Sequence, residues 1–157
     1  MEKKIKIIII LLFSILLSAC GFKKINNGQS TLYIQNINIT GEDRITYLLK
    51  NNILLFSNQK SQNRYDVQIA LIQTKTSKIK NKSGRTERYD LKISADLKLT
   101  DIDNNKSVKK LFSRKNDYEV AKSHSDTIFN EKKASKITID QLSEEIINFL
   151  TLLEKNK

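Results

Sequence analysis

The 157-residue chain contains no proline, no tryptophan, one cysteine, one histidine and four glycines. A single cysteine excludes an internal disulfide. The lone histidine, His124, has no cysteine near it in sequence, so a zinc or haem centre lacks ligands. The glycines, Gly21, Gly28, Gly41 and Gly84, are scattered, and no glycine-rich loop exists to cradle a phosphate. Asp101 and Asp103 are residue types of a calcium loop, but the EF-hand's glycine and terminal glutamate are missing, and the pair reads as a turn. Ser123-His124-Ser125-Asp126 holds the residue types of a hydrolase triad. Neighbours in one segment cannot easily converge on a reacting atom, no G-x-S-x-G elbow is present, and the spacing suits a helix cap. Together these absences predict a chain that is not an enzyme and carries no cofactor.

What is present starts with an apolar leader. Glu2, Lys3, Lys4 and Lys6 form a charged start, and Ile7–Leu17 is an apolar run with the length of a signal-peptide core, short for a membrane span. Leu17-Ser18-Ala19-Cys20 follows and resembles the bacterial lipobox, whose cysteine is acylated and becomes the new N-terminus. A signal anchor, or a cleaved leader followed by a free thiol, ranks below this reading, because Cys20 stands where a lipobox requires it. The expectation is a signal peptide over residues 1–19, a lipidated tether over 20–31 and one domain over 32–157. In lipoproteins of this kind an Asp after the cysteine favours inner-membrane retention. Gly21 stands there instead, which favours the outer membrane, with the domain facing the periplasm.

Charge narrows the partners. The chain has 28 basic and 17 acidic residues; the leader accounts for three lysines and one glutamate, leaving a net charge of +9. A basic balance suits anionic lipid head groups, phosphates or an acidic protein, and a secreted, anchored chain does not meet nucleic acid. Lysine, asparagine and isoleucine are abundant throughout, so a compositional bias spread over a solvated surface competes with function for any single lysine.

Hydrophobic periodicity gives the architecture. Leu32–Ile39 is a β-type run whose inward side changes near Gln35-Asn36, the signature of a bulge. Thr40 and Asp43 have capping-box spacing, and Ile45, Leu48, Leu49, Ile53 and Phe56 form one helical stripe ending near Ser57. Tyr65–Leu71 and Tyr89–Leu99 alternate with period two, which is the mark of strands with one buried face. Ser83-Gly84 is the expected turn of the hairpin between them, and Asp101–Lys106 a second turn. A fourth strand over Val108–Val120 places Val108, Phe112, Tyr118 and Val120 on one side, interrupted by Arg114 and Asn116. After Ser123 no glycine or proline breaks the chain, and Ile128, Ser135, Ile139, Leu142, Ile146, Phe149, Leu150 and Leu153 mark a long amphipathic helix. The expected fold is α+β, a two-layer sandwich ordered β-α-β-β-β-α, with a four-stranded mixed sheet and two helices on one face.

One charged cluster stands out. Lys75, Lys78, Lys80, Lys82, Arg85 and Arg88 crowd the end of the central hairpin, with only Glu87 opposing them in sequence. Concentrated at a tip pointing away from the helical layer, they suit an anionic glycolipid, Arg by bidentate forks and Lys by point charges. The competing reading is a solvated tip whose charges block edge aggregation.

The lipobox with Cys20-Gly21-Phe22, followed by this element order, resembles the lipopolysaccharide-assembly lipoprotein family, LptE. Arg85 and Arg88, Ala95-x-Leu97-x-Leu99-x-Asp101, Tyr118, and Gln141-Leu142 with Ile146 carry the likeness. Members often continue with a proline- and aromatic-bearing stretch, where this chain has Lys23-Lys24. The resemblance implies a plug and scaffold for the β-barrel lipopolysaccharide translocon (LptD-like), aiding its assembly and the insertion of lipopolysaccharide into the outer leaflet. An auxiliary lipoprotein of an envelope phospholipid-transport system and a regulator of cell-wall synthesis are the alternatives.

Overall fold

The computed structural model describes residues 32–155; the predicted leader, Cys20 and the segment up to Thr31 lie outside the described residues. The order is β1 (Leu32–Thr40), α1 (Asp43–Phe56), β2 (Asn63–Lys80), β3 (Thr86–Asp101), β4 (Lys106–Glu119) and α2 (His124–Lys155). The sheet runs β1-β2-β3-β4. β1 lies parallel to β2, because α1 carries the chain back between them, and β2, β3 and β4 form an antiparallel meander. This is the expected α+β architecture.

The alternation in sequence becomes two faces. Rows such as Ile69–Leu97 and Leu71–Ala95–Phe112 point toward the helices, and rows such as Gln68–Lys98–Lys109 and Ile72–Ser94–Ser113 point away from them. Ile45, Leu49 and Ile53 of α1 and Ile139, Leu142, Ile146 and Leu150 of α2 close over the first set, and all seven are essentially inaccessible to water. Burying each large aliphatic side chain contributes about 1.5–3 kcal/mol, and this interface dominates the fold. In β1 the register shifts between Ile34 and Asn36. Leu32 and Ile34 therefore face the core before Gln35, and Ile37 and Ile39 pack against it afterwards, as the bulge expected there requires.

Arg114 and Asn116 do not leave the inward side of β4. They stay on it and reach α2: Arg114 Nε lies 2.8 Å from Glu145 Oε2, and Asn116 Nδ2 donates to Thr138 Oγ1 and Gln141 Oε1 at 3.0 and 3.1 Å. The apolar interruption is a polar seam between helix and sheet. The other edge of α2 meets α1 similarly, with Asn52 Nδ2 donating to Ser143 Oγ at 3.0 Å.

The two expected caps behave differently. Ser123 Oγ accepts from the Asp126 amide at 3.0 Å and donates to Asp126 Oδ2 at 2.7 Å, so the start of α2 is capped as the spacing predicts. Thr40 is not a cap. It pairs with Ala70 as the last residue of β1, and Glu42 takes the N-cap position without a side-chain hydrogen bond. Gly41, at φ 142°, makes the intervening bend beside the Leu71 carbonyl. Asp101 forms a turn, as expected: its carboxylate accepts from the amides of Asp103 and Asn104 and from the Asn104 side chain.

Candidate functional site

The β2–β3 hairpin extends well beyond the main core. From Thr74 to Lys80 every β2 residue is exposed. Its turn is built by one residue that the charge pattern does not single out. Asn81 Oδ1 accepts from the Ser83 amide and the Arg85 amide, each at 3.0 Å, and from Ser83 Oγ at 2.8 Å. Gly84 supplies the positive φ of 79° that the turn needs, with open space around it. An asparagine beside a Ser-Gly pair is the signal that identifies this loop organiser in sequence.

The six basic residues do not form one cluster. They fall into three environments, because neighbouring strands and α2 supply carboxylates that are distant in sequence. Lys75 faces the helical layer, where its Nζ sits 2.8 Å from Glu131 Oε2, 4.6 Å from the Tyr89 ring centroid and 5.3 Å from that of Tyr118. Tyr118 donates its hydroxyl to the same Glu131 oxygen at 2.9 Å, and the two tyrosine rings stack at 5.6 Å. Tyr118 also belongs to a small second core with Leu91 and Ala134, against which Tyr89 packs. Burial disfavours the charged form of Lys75, but its hydrogen bonds to Glu131 and Tyr118 and their negative charge outweigh it and raise its pKa. Burial likewise pushes Glu131 up, and its bonds to Lys75 and Tyr118 bring it below the usual glutamate range.

Lys78 and Arg88 lie on the opposite face of the sheet in a ladder of ion pairs. Lys78 stands 3.4 Å from both Asp90 and Asp117; Arg88 pairs with Asp117 at 3.1 Å and with Glu119; Lys115 reaches Asp90 at 2.6 Å. Three cations meet three carboxylates, so this part of the face is close to neutral. The hydrogen bond from Lys115 holds Asp90 below the usual carboxylate range despite its burial, and Lys78 adds to the effect. The sequence expectation that Glu87 alone opposes the basic residues is therefore corrected: Asp90, Asp117, Glu119 and Glu131 oppose them across strands and from the helix.

Lys80, Lys82 and Arg85 form the third group. They are exposed, and among the described residues they make no ion pair. The tip thus concentrates three unneutralised cations around the Asn81 turn. They offer two point charges and one guanidinium fork to solvent.

Beyond the ladder, the outward sheet face remains polar. Asn36 Nδ2 donates to Asp66 at 2.8 Å, and Gln68, Asp96, Lys98 and Lys109 line a shallow depression with Asn38 and Thr40. Ile72 and Leu111 are exposed large apolar side chains on this face of β2 and β4, set on neighbouring rows and separated by β3, and Ile79, paired with Arg88, is exposed nearer the tip. Among the described residues no group of three or more His, Cys, Asp or Glu side chains is arranged to hold a metal. No helix among them is long and apolar enough to cross a membrane. Ser123 is occupied with Asp126 in the helix cap, and His124 is the first residue of α2.

No family model matches the chain, and no curated protein matches it. Solved structures do. A chain assigned as a lipoprotein from Caulobacter crescentus CB15 superposes with a TM-score of 0.56 at 18% identity, covering 82% of this chain and 93% of that one. The rare lipoprotein B of Shewanella oneidensis gives a TM-score of 0.59 at 12% identity, covering 77% and 97%. An uncharacterized lipoprotein B of Nitrosomonas europaea gives 0.51 at 16%, covering 78% and 88%. At such identities the likeness establishes a shared fold: the domain is built like these bacterial lipoproteins over nearly their whole length.

Proposed function

We propose that this chain is a non-enzymatic outer-membrane lipoprotein, acylated at Cys20, that plugs and scaffolds the β-barrel translocon for lipopolysaccharide. In this role it aids barrel assembly and the insertion of lipopolysaccharide into the outer leaflet. The observation that carries the proposal is the outward sheet face. Its ion-pair ladder and polar rows present almost no contiguous apolar surface. Barrel lumens are polar, and a domain with this face enters one without exposing its core. The fold shared with bacterial lipoproteins and the lipobox before the domain support the same reading. The exposed cations Lys80, Lys82 and Arg85 suit the phosphorylated inner region of the glycolipid; Lys75, Lys78 and Arg88 hold the hairpin that carries them.

Affinity purification from detergent-solubilised outer membrane tests this. A large β-barrel protein is expected as the main co-eluting species, and depletion of the chain should lower barrel abundance. Recovery of a monomer free of any barrel under mild extraction overturns the proposal. Crosslinking in cells to a lipid-shuttle complex instead would assign the chain to phospholipid transport.

A further inference from the structure

The strand directions sort the molecule into two ends. Leu32, where the chain enters from Cys20, lies beside Asn63 at the start of β2 and accepts a hydrogen bond from the Asn58 amide, just past the end of α1. Asn63 Nδ2 donates to Glu154 near the end of α2 at 3.2 Å. The β3–β4 turn closes the same end, since Tyr65 pairs with Asp101. The hairpin tip lies at the other end.

Apolar side chains are left bare at the entry end. Leu55, on the outward side of the last turn of α1, is 86% exposed; Leu152, in the last turns of α2, is 58% exposed; Leu54 is 38% exposed. Their helices bury their other faces through Ile53 and Leu150. Lys60, Lys106 and Lys155 are exposed at the same end, and among the described residues none of the three makes an ion pair. Arg64 there is neutralised by Asp103 at 2.5 Å.

Only eleven residues separate Cys20 from Leu32. At the limit of about 3.3–3.6 Å per residue, the entry end is always within roughly 40 Å of the acyl chains. We infer that this end, through Leu54, Leu55 and Leu152 and the flanking lysines, docks on the anionic lipid leaflet that holds the anchor. Leucines enter the boundary between head groups and acyl chains, and lysines meet the anionic head groups. The inference rests on acylation of Cys20. It leaves the polar sheet face free for a barrel partner and the hairpin tip free for the glycolipid.

Acylation also provides the test, because it consumes the single native thiol. Leu55→Cys, Leu152→Cys, Lys82→Cys and Leu111→Cys are each introduced into the full acylated chain, labelled with an environment-sensitive dye and reconstituted in vesicles of phosphatidylethanolamine and phosphatidylglycerol. Lipids bearing a nitroxide high on the acyl chain serve as quenchers. Labels at 55 and 152 should be quenched at least threefold more than labels at 82 and 111, and replacing phosphatidylglycerol with phosphatidylcholine should reduce the difference. Equal quenching at all four positions, or stronger quenching at 82, overturns leaflet docking. So does self-quenching between labels at 55 without nitroxide quenching, which assigns the leucines to a second copy. Mass spectrometry of the same sample separates the two failures: an acylated chain with unquenched leucines overturns docking alone, and an unacylated Cys20 overturns both readings.

Discussion

Lys75 of β2 and Glu131 of α2 meet at 2.8 Å, above a stacked pair of tyrosines that belongs to neither element. The contact fastens the base of an otherwise exposed hairpin to the helical layer. A basic residue that reads as part of an anion-binding cluster thus holds the arm in place.

Loss of this latch should be measurable. Glu131→Gln is expected to cost about 1 kcal/mol, and Lys75→Gln about 0.5 kcal/mol given its greater exposure, read from urea midpoints at neutral pH. The lowered pKa of Glu131 means that its contribution is present above the ordinary carboxylate range and is lost as pH falls through the folded value. The raised pKa of Lys75 means that its contribution is present below the ordinary lysine value and is lost as pH rises through the folded one. The stability gap between wild type and Glu131→Gln should therefore be widest between about pH 5 and pH 10 and narrow at pH 3. A gap that persists unchanged at pH 3 would contradict the latch.

The two faces of the sheet should differ sharply in tolerance. Leu97→Ala, at a position with no exposed surface, is expected to cost about 2–5 kcal/mol. Ile72→Ala, on the outward face, should stay within about 0.5 kcal/mol. Comparable losses at both sites would mean that the outward face is packed against something in the isolated chain.

Gly41 and Gly84 both have positive φ, but only Gly41 is crowded. A Cβ there would lie 2.9 Å from the Leu71 carbonyl oxygen, whereas nothing surrounds Gly84. Gly41→Ala should cost about 1–3 kcal/mol, and Gly84→Ala about 1–2 kcal/mol from conformation alone. The ordering is checked by thermal melts of the two variants side by side.

The tip cations should affect binding without affecting folding. Replacing Lys80, Lys82 and Arg85 together with Gln is expected to leave the melting temperature within 1–2 °C, roughly the shift of a few tenths of a kcal/mol, and to weaken lipopolysaccharide binding most at low salt. Changing Lys78 and Arg88 instead should lower stability, because Asp117 would lose both of its partners and Asp90 would keep only Lys115. Undiminished binding of the triple variant at low salt would reduce the tip to a solubility device.

Much of the architecture is legible in the sequence because its signals are local. Eleven residues of unbroken alternation over Tyr89–Leu99 define β3, and the change of parity at Gln35 shows as a bulge in β1. Ser123 and Asp126 predict their cap correctly, since nothing competes for Ser123. Thr40 fails the same rule because β1 needs it: pairing with Ala70 takes precedence over a cap, and Gly41 lets the chain bend one residue later. The basic cluster is misread for a related reason. A sequence window around residues 75–88 contains Glu87, but the carboxylates that neutralise Lys75, Lys78 and Arg88 arrive through strand register and helix docking, 12 to 56 residues away. Arg114 and Asn116 look like breaks in an apolar stripe until α2 supplies their partners.

The entry of the chain and the Asn81 turn lie at opposite ends of paired strands, and β3 alone has 16 residues. At about 3.3 Å per residue, that makes a stiff spacer of roughly 50 Å. The sheet therefore works as a ruler, with its graduation set by strand length. Deleting two facing residues from each of β2 and β3 keeps the turn chemistry and shortens the reach by about 7 Å, so the distance between the charged tip and the entry end can be dialled without touching a single lysine.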